Sequence, residues 1–334
     1  MAWSQVLDGE GVALAVGADF VAIAGALDGQ LWVERRGLDG EPLGSATYGA
    51  GAAQDVAALA TPPRIAVGGF VDDAAWLGVL DDAGALQWDT LLDEQDIEGL
   101  SRVRVAFTPD DRVLCARSGF SGVDEFPHAS ASTFTLEGMQ GALEAGSDGE
   151  FGGLAVGPDG QVAFALSTSG ALGVDGRTRL FAGGQEQWAK EEFSQREPRG
   201  AAIDGLGRVF TVGSGGEIRQ GGWLVQRDAD GATGWTAETG PGPWLDAFEA
   251  VTVDGAGNVA ITGRVGTDAI GGIVITIRFD AGGSTLWVAE HKGTGDHAAE
   301  SGLDVATDGD GAVYVLARES TQDGAQTRLI KYLP

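Results

Sequence analysis

Residues 250–263 read AVTVDGAGNVAITG and residues 272–290 read GIVITIRFDAGGSTLWVAE, and together they contain one complete structural repeat. Two short apolar stretches flank Asp254–Gly257 in the first segment, and two more flank Asp280–Gly283 in the second. Asp and Gly are typical of tight turns, because Asp accepts hydrogen bonds from turn amides and Gly adopts positive φ without steric cost. The two segments therefore predict four antiparallel strands joined by hairpins.

The same pattern recurs along the whole chain, which indicates a tandem-repeat fold. The first strand, turn and second strand occur in seven copies, which start at Val12, Val56, Arg104, Leu154, Ala201, Ala250 and Asp304. The second hairpin occurs in six copies, within residues 35–44, 78–88, 134–143, 181–188, 226–235 and 278–287. Five tryptophans mark the array, and we expect all but the first to pack between repeats: Trp3, Trp88, Trp188, Trp235 and Trp287.

The missing seventh hairpin predicts how the array closes. The last copy stops at IKYLP, residues 330–334, where its fourth strand should follow, whereas AWSQVLD, residues 2–8, reads as a fourth strand without the preceding three. Radial repetition of four-stranded units protects sheet edges in β-propellers. We therefore predict an all-β, seven-bladed β-propeller of antiparallel blades, in which an N-terminal strand at about Trp3–Leu7 completes the last blade. Residues 1–334 form a single domain in this interpretation.

The chain is strongly acidic, with 49 Asp and Glu against 21 Lys and Arg and a formal net charge of −28. A surface of this sign repels phosphate groups, so we do not expect nucleic acid as a partner. No apolar run reaches the length of about 18 residues that a spanning helix needs, so we expect no membrane insertion. We expect a monomer. The charge fits either Asp-filled hairpin turns or attraction for cations and basic partners.

Cys115 is the only cysteine and lies within RVLCARS, residues 112–118, which has the pattern of a strand. A single cysteine forms no disulfide within the chain. We expect its side chain to be a small buried hydrophobic group.

The repeat resembles the SBBP-type propeller repeats of bacterial exported and cell-surface proteins. Four segments carry the resemblance: residues 253–263, 278–287, 307–317 and 330–334. It covers essentially the whole chain, most clearly from about Gly200 onward, although Thr61–Pro63 replaces the usual first turn and the third repeat lacks the tryptophan. The resemblance implies a propeller and an exported location, periplasmic, cell-surface or secreted, with the export signal outside this sequence. A cytoplasmic location stays open, and no enzymatic activity is implied.

Carboxylates in the turns raise the question of calcium. Asp308 and Asp310, and likewise Asp228 and Asp230, stand at alternate positions, as ligands of calcium loops do. The EF-hand pattern also needs a third ligand and a Glu at position 12, and neither occurs at the right spacing. The same residues lie where hairpins need turn residues. We therefore expect no cofactor, with calcium at these four residues as the alternative.

The long loops are expected at one face of the propeller. In a four-stranded blade, the second-to-third loops and the blade-to-blade connections lie at the same end, and here these segments are long and varied. Loops over a rigid scaffold often carry binding residues. The candidate loops are residues 118–132, 167–176, 194–200, 214–222, 238–248 and 292–301.

These loops contain the candidate site residues. An aromatic ring surrounded by carboxylates and arginines suits a carbohydrate, because sugars stack on rings and offer hydroxyl groups to charged donors and acceptors. The predicted ligand-binding residues are Trp244, Asp246, Arg196, Arg199, Arg219, Asp124 and Glu125. Trp244 alternatively packs between blades, and Asp246 alternatively caps the next strand, since Asp55 and Asp296 occupy similar positions.

The sequence favours a non-enzymatic propeller that binds a protein or glycan partner through the long-loop face. The alternative is a carbohydrate-active enzyme, a polysaccharide lyase or hydrolase, that uses the same face. His128 and His297 are its candidate general bases, because they lie on these loops and His titrates near neutral pH. We assign no catalytic residue in the favoured interpretation.

Overall fold

The computed structural model describes residues 1–92, 98–120, 127–170, 173–194, 196–215, 221–239, 246–267, 271–292, 300–321 and 324–334. Side chains of strand residues that border the gaps, and of residues 142–148, are outside this description. Within these ranges the chain forms 27 β-strands and no helix. No described segment is therefore a helix that could cross a membrane. The all-β prediction is confirmed.

The strands follow one another at short intervals. Strands β1 to β8 are Trp3–Val6, Glu10–Val16, Phe20–Leu27, Gln30–Gly37, Pro42–Ala60, Pro63–Val71, Ala74–Asp81 and Leu86–Leu91. Strands β9 to β16 are Glu98–Phe107, Val113–Phe120, Pro127–Phe134, Gln140–Asp148, Glu150–Val156, Val162–Gly170, Gly173–Ala182 and Gln185–Ser194. Strands β17 to β24 are Arg196–Ile203, Val209–Gly215, Gly221–Arg227, Thr233–Glu238, Ala247–Val253, Val259–Thr267, Gly271–Phe279 and Thr285–His291. Strands β25 to β27 are Ser301–Thr307, Val313–Thr321 and Gly324–Tyr332.

Consecutive strands pair as antiparallel meanders of four. The groups β9–β12 and β13–β16 each form a separate sheet, whereas β17–β20 and β21–β24 are linked by one pair, Ser214 with Ala247. Strand β1 pairs with β27, from Trp3 opposite Lys331 to Val6 opposite Arg328, so the two chain ends share one sheet with β26 and β25.

Strand β5 serves two groups, which the sequence did not predict. It is 19 residues long, and its first part pairs with β4 while the part from Gly51 onward pairs with β6. Gly51 has φ 147°, and a Cβ there would lie 2.0 Å from the Phe70 carbonyl oxygen. The glycine therefore lets the chain pass from one group to the next without a loop.

The predicted hairpin turns form as expected. Asp254 Oδ1 accepts hydrogen bonds from the amides of Ala256 and Asn258, both at 2.9 Å, and Gly257 has φ 81°. Asp280 Oδ1 accepts bonds from the amides of Gly282 and Ser284, at 2.9 and 2.8 Å. Asp and Gly therefore act in these turns as the sequence predicted.

Apolar clusters hold neighbouring groups together. In one cluster, Phe210 and Leu224 from β18 and β19 pack with Phe248 and Ile261 from β21 and β22. The repeat tryptophans join such clusters, and the Trp188 indole N–H donates to the Ala229 carbonyl of the following group at 3.0 Å. The predicted packing role of these tryptophans is confirmed.

The first strand of each group lies innermost. Contacts run from β2 to β5, and then through β9, β13, β17 and β21 to β25. Strand β25 also contacts β2. The inner strands thus surround a common axis, and the functional site lies along it.

Candidate functional site

A cavity of about 190 Å³ lies between the inner strands. We call it the channel cavity. Strands β2, β5, β9, β13, β17, β21 and β25 line it, through residues Val12, Ala13, Asp55, Arg102, Arg104, Gly152, Gly153, Leu154, Glu197, Arg199, Gly200, Ala201, Glu249, Ala250, Val251, Leu303 and Asp304. Most of these residues lie around the middle of their strands. The channel cavity therefore lies on the axis that the inner strands surround.

Close approach of the inner strands depends on small residues. A Cβ on Gly152 would lie 1.9 Å from the Pro198 carbonyl oxygen, and Gly152 precedes a second glycine in the same strand. Strands β13 and β17 can therefore approach at a distance that a side chain would prevent.

Two half-buried carboxylates join neighbouring inner strands in the channel cavity. Asp55 accepts hydrogen bonds from the Val56 amide at 3.0 Å and, across the junction, from the Val105 amide at 2.8 Å. Asp304 accepts bonds from the Val305 amide at 2.8 Å and the Leu14 amide at 2.7 Å. Each Asp thus satisfies an amide of the next group, and Asp304 connects β25 near the C-terminus to β2 near the N-terminus.

Burial controls the protonation of both carboxyl groups. It raises the pKa of Asp304 to about 7, against the lowering effect of its backbone hydrogen bonds, and the nearby Asp55 raises it further. Burial likewise raises the pKa of Asp55, while Arg104 opposes this shift. The channel cavity therefore contains a carboxyl group that titrates near neutral pH.

Arg104 supplies the cation between these acids. Its Nη1 donates to the Gln54 carbonyl at 3.1 Å and its Nη2 to the Gly152 carbonyl at 3.3 Å, so the guanidinium bridges the inner strands on both sides. Gln54 also accepts a bond from the Val103 amide through Oε1 at 2.8 Å. These bonds fix the Arg104 guanidinium in position beside the carboxylates.

Further ion pairs surround the channel cavity. Arg199 Nη1 binds both carboxylate oxygens of Glu249, at 2.8 and 2.7 Å, and its Nη2 donates to Glu197 at 3.3 Å. Arg102 Nε donates to Glu150 at 2.8 Å. These side chains are one-fifth to two-fifths exposed, so they form a partly solvated rim of paired charges.

Three of the predicted ligand-binding residues can be placed. Arg199 lines the channel cavity. Arg196 lies at the start of the same strand, where it donates to Glu238 at 2.5 Å and its guanidinium lies 5.5 Å from the Trp223 ring centre. Asp246 is buried, and its Oδ1 accepts a hydrogen bond from the Gly266 amide at 2.8 Å. This last contact is of the capping kind that the sequence offered as the alternative.

The other candidates lie outside the described part of the chain. Trp244, Arg219, Asp124, Glu125 and His297 are not among the described residues. His128 belongs to β11, opposite Gly119, but its side chain lies outside the description. Their proposed roles therefore remain predictions.

The carboxylates proposed as calcium ligands lie in turns. Asp308 Oδ1 accepts bonds from the amides of Asp310 and Ala312, at 3.1 and 2.8 Å. Asp230 Oδ1 accepts a bond from the Ala232 amide at 2.9 Å, and Asp228 Oδ1 accepts one from the side-chain amide of Gln226 at 3.0 Å. Within the described ranges, no group of three or more His, Cys, Asp or Glu side chains is arranged to hold a metal ion.

Cys115 is buried, with 3% of its surface exposed. Burial raises the pKa of its thiol to about 12. The thiol is therefore protonated at neutral pH and packs in an apolar cluster with Val113 and Phe134.

Sequence analysis missed most of the channel cavity. Arg102, Arg104, Glu249 and Asp304 lie within strands, whereas the sequence-based site was predicted on the long loops. One signal was present, because Asp-Val-Ala occurs at residues 55–57 and again at 304–306. The structure places these two Asp residues at equivalent sites inside their strands, whereas Asp246 precedes β21. Asp55 is therefore equivalent to Asp304 and not to Asp246.

Comparison with known proteins identifies the fold. The hydrazine synthase of Kuenenia stuttgartiensis is similar with a TM-score of 0.68 and 10% identity, over 98% of this chain and 97% of its own. Polysaccharide lyase Uly1 has a TM-score of 0.59 and 12% identity, with coverage of 98% and 91%. The WD40 domain of Toxoplasma gondii coronin has a TM-score of 0.59 and 12% identity, with coverage of 99% and 86%.

These likenesses, at 10 to 12% identity, concern the fold alone. No family model and no curated protein matches the sequence, so the resemblance to SBBP-type repeats remains a prediction. The neighbours are propellers, and the chain has antiparallel four-stranded groups around a common axis. The protein is a β-propeller.

Proposed function

We propose that the chain is a seven-bladed propeller closed by β1 as the outer strand of the last blade. Three observations support this: the pairing of β1 with β27, the contact between β2 and β25, and the hydrogen bond from the Leu14 amide to Asp304. The seven inner strands that line the channel cavity agree with this count. Following the SBBP-type resemblance, we also propose an exported, monomeric protein.

We propose further that the protein is a binding module without enzymatic activity and that the channel cavity with its rim binds a glycan. The carrying observation is the pre-formed cavity itself, which is concave and polar and lies on rigid strands. Arg102, Arg104 and Arg199 line it together with carboxylates, and each arginine is held by partners of its own. Such a surface needs no rearrangement before it binds.

The mixture of charges favours a neutral, hydroxyl-rich ligand. Around a ligand at the rim, the arginine N–H groups act as donors, and the carboxylates of Glu197 and Glu249 act as acceptors. A sugar hydroxyl both donates and accepts, so it can bind between Arg199 and its carboxylate partners. A ligand with one dominant charge would instead be repelled by half of these groups. A protein partner would have to insert a polar side chain into the same cavity.

A carbohydrate-active enzyme is the second candidate. The observation that favours it is Asp304, a cavity carboxyl group whose pKa of about 7 lets it exchange a proton at neutral pH. The fold neighbour named as a polysaccharide lyase is consistent with it. Release of product from a polysaccharide, lost in the Asp304→Asn variant or in the His128→Ala and His297→Ala variants, would establish this function.

The test of the glycan-binding proposal is titration with an oligosaccharide panel. We expect one class of glycan to bind, and Arg199→Gln to raise its Kd at least about tenfold, because the bidentate contact orders the rim. Arg177→Gln is the matched control, since Arg177 on β15 pairs with Glu191 on β16 at 3.1 Å and does not line the channel cavity. If no glycan binds, or if both variants bind equally, the proposal is wrong. If a protein partner binds the unmodified chain and not Arg199→Gln, the ligand of this site is a protein and not a glycan.

A further inference from the structure

Two of the six second hairpins lack the repeat tryptophan. In the β4–β5 hairpin Tyr48 reaches the next third-to-fourth turn instead, where its hydroxyl donates to the Gly84 carbonyl at 2.7 Å. In the β11–β12 hairpin no aromatic residue occurs between the turn and residue 148. In four other hairpins the tryptophan is the fourth residue after the last turn glycine: Gly84 and Trp88, Gly184 and Trp188, Gly231 and Trp235, and Gly283 and Trp287. In the β11–β12 hairpin the turn glycine is Gly138, with φ 85°. The fourth residue after it is Ala142.

Trp88, Trp188 and Trp235 each pack on the third-to-fourth turn of the following group. The Trp88 indole N–H donates to the Leu136 carbonyl in the β11–β12 turn. A Cβ on Gly231 would meet the Trp188 ring at 3.0 Å, and a Cβ on Gly283 would meet the Trp235 ring at 2.6 Å. An indole ring therefore regularly fills the space between a fourth strand and the next third-to-fourth turn.

At the junction that follows Ala142, the structure contains a cavity of about 120 Å³. We call it the junction cavity. It lies between the β9–β12 and β13–β16 groups, and its lining includes Leu114, Thr133, Val162, Phe164, Phe181 and Gly183. Gly183 and Gly184 of the next third-to-fourth turn both line it, and Gly184 is equivalent to Gly138, Gly231 and Gly283, on which the other indoles pack. The junction cavity thus occupies the place of the missing indole.

The walls of the junction cavity suit an aromatic ring. Phe164 and Phe181 lie edge to face, with ring centres 5.4 Å apart, and both pack with Leu114 in one apolar cluster. An aromatic guest can add to such a pair in the offset or edge-to-face geometry that rings prefer. An enclosed apolar cavity of about 150 Å³ is known to accept benzene. The junction cavity, at about 120 Å³, is somewhat smaller, but the exposed Asp110 and Arg112 side chains border it on one side.

One wall of the junction cavity carries an unpaired polar group. Thr133 is 4% exposed, and its buried Oγ1 has no hydrogen-bond partner among the described residues. In other groups the residue directly opposite the tryptophan is apolar: Val79 faces Trp88, and Leu180 faces Trp188. Thr133 occupies the equivalent position in the β11–β12 hairpin. A buried hydroxyl without a partner is unfavourable, and a ligand that bonds to it removes this cost.

The junction cavity is open to solvent at the face opposite the long loops. Thr108, Asp110 and Arg112 of the β9–β10 turn also line it, and the ion pair between Arg112 and Asp110 at 3.0 Å is about half exposed or more. A ligand can therefore enter without unfolding the junction.

We propose that the junction cavity is a binding site for a small aromatic molecule with one hydrogen-bonding group, of the indole or phenol type. The ring lies against Phe164 and Phe181, and the polar group bonds to Thr133 Oγ1. This site is separate from the channel cavity, so it does not depend on the proposed glycan binding.

The experiment is calorimetric titration of the full chain with indole, phenol and toluene. We expect indole and phenol to bind at a single site. Ala142→Trp should fill the junction cavity from within and weaken indole binding at least about tenfold. Leu286→Trp is the matched control, because Leu286 is 52% exposed on β24 and the added ring stays at the surface. If Ala142→Trp does not fold, Val162→Phe narrows the same cavity from the opposite strand.

Thr133→Val tests the polar contact, because valine keeps the shape and removes the hydroxyl. We expect phenol to lose at least about threefold in affinity while toluene is unaffected. The proposal is overturned if none of the three molecules binds at millimolar concentration. It is also overturned if both cavity-filling variants bind indole as the unmodified chain does, or if Thr133→Val leaves the preference for phenol over toluene unchanged.

Discussion

Replacement of Asp304 by asparagine should change the pH dependence of stability in a defined way. Burial raises the pKa of this carboxyl group to about 7 in the folded chain, whereas an unfolded Asp titrates near about 3.9. The folded state therefore binds the proton more tightly. The stability that comes from this proton is fully present below about pH 4 and is lost as the pH rises through about 7.

The expected magnitude follows from the two pKa values. Between pH 5 and pH 8 the linkage relation gives a loss of about 2.5 kcal/mol in the free energy of unfolding from this one group. With an unfolding entropy of about 2.1 cal/mol/K per residue, a chain of 334 residues has about 0.7 kcal/mol/K, so the thermal midpoint falls by about 4 °C. An asparagine side chain at this position carries no such proton, so the variant should lack this part of the pH dependence.

The assay is urea or thermal unfolding of the unmodified chain and of Asp304→Asn at pH 5 and pH 8. Asparagine keeps one acceptor but places an NH₂ group near an amide that Asp304 now satisfies, a pH-independent cost of about 1 to 3 kcal/mol. Asp19→Asn, at an exposed position between β2 and β3, is the control. If the stability difference between Asp304→Asn and the unmodified chain is the same at both pH values within about 0.5 kcal/mol, the reasoning is wrong.

Three further changes test the packing and the electrostatics. Trp188→Ala should lower the free energy of unfolding by about 3 to 5 kcal/mol in urea titrations, because it removes a buried ring and its bond to Ala229, and a loss below about 1 kcal/mol would contradict the packing role. Burial alone would raise the pKa of Glu319, but hydrogen bonds, first among them the one from His291, lower this pKa to about 2. The stability that the ionised Glu319 contributes should therefore be fully present above about pH 4.5 and should be lost as the pH falls through about 2. Glu319→Gln should remove that loss in acid unfolding curves, and equal curves would refute the assignment. Trp3→Ala should destabilise the whole chain cooperatively by about 2 kcal/mol if β1 closes the ring, whereas a change confined to proteolysis of the N-terminus would argue against closure.

The elements set by local chemistry were predictable from the sequence. Asp254 and Gly257 form their turn through contacts within five residues. Tryptophans such as Trp188 stand at a fixed sequence distance from a turn glycine. Such patterns survive because each repeat folds against an equivalent neighbour. The long strand β5 was not predictable, because continuity from one group to the next depends on the conformation of Gly51 and not on a residue pattern.

The side chains of the channel cavity depend on register, which a single sequence does not reveal. Irregular pairing occurs between Ala53 and Asp55 in β5 and between Gly302 and Asp304 in β25. An extra residue at such a bulge reverses which side chains face the axis, so alternation alone assigns Asp304 to the wrong side. Alternating Arg and Val in residues 102–105 was a usable signal, because a strand with charges on one face must find partners for them.

Both cavities lie where the repeat departs from its own rule. At the inner-strand bulges, four copies have a small residue, Ala13, Gly153, Gly200 or Ala250. Asp55 and Asp304 stand at the equivalent places, and burial raises the pKa of Asp304 to about 7. At other third-to-fourth turns, a tryptophan of the preceding group fills the space between the two groups. The junction between the β9–β12 and β13–β16 groups contains a cavity at this place. Neither departure is required by the fold, since the other copies form without it. In a repeat protein, the regular copies show which residue the fold needs at each position. A position where one copy has a destabilising residue or a cavity that the other copies lack is therefore a good candidate for ligand binding.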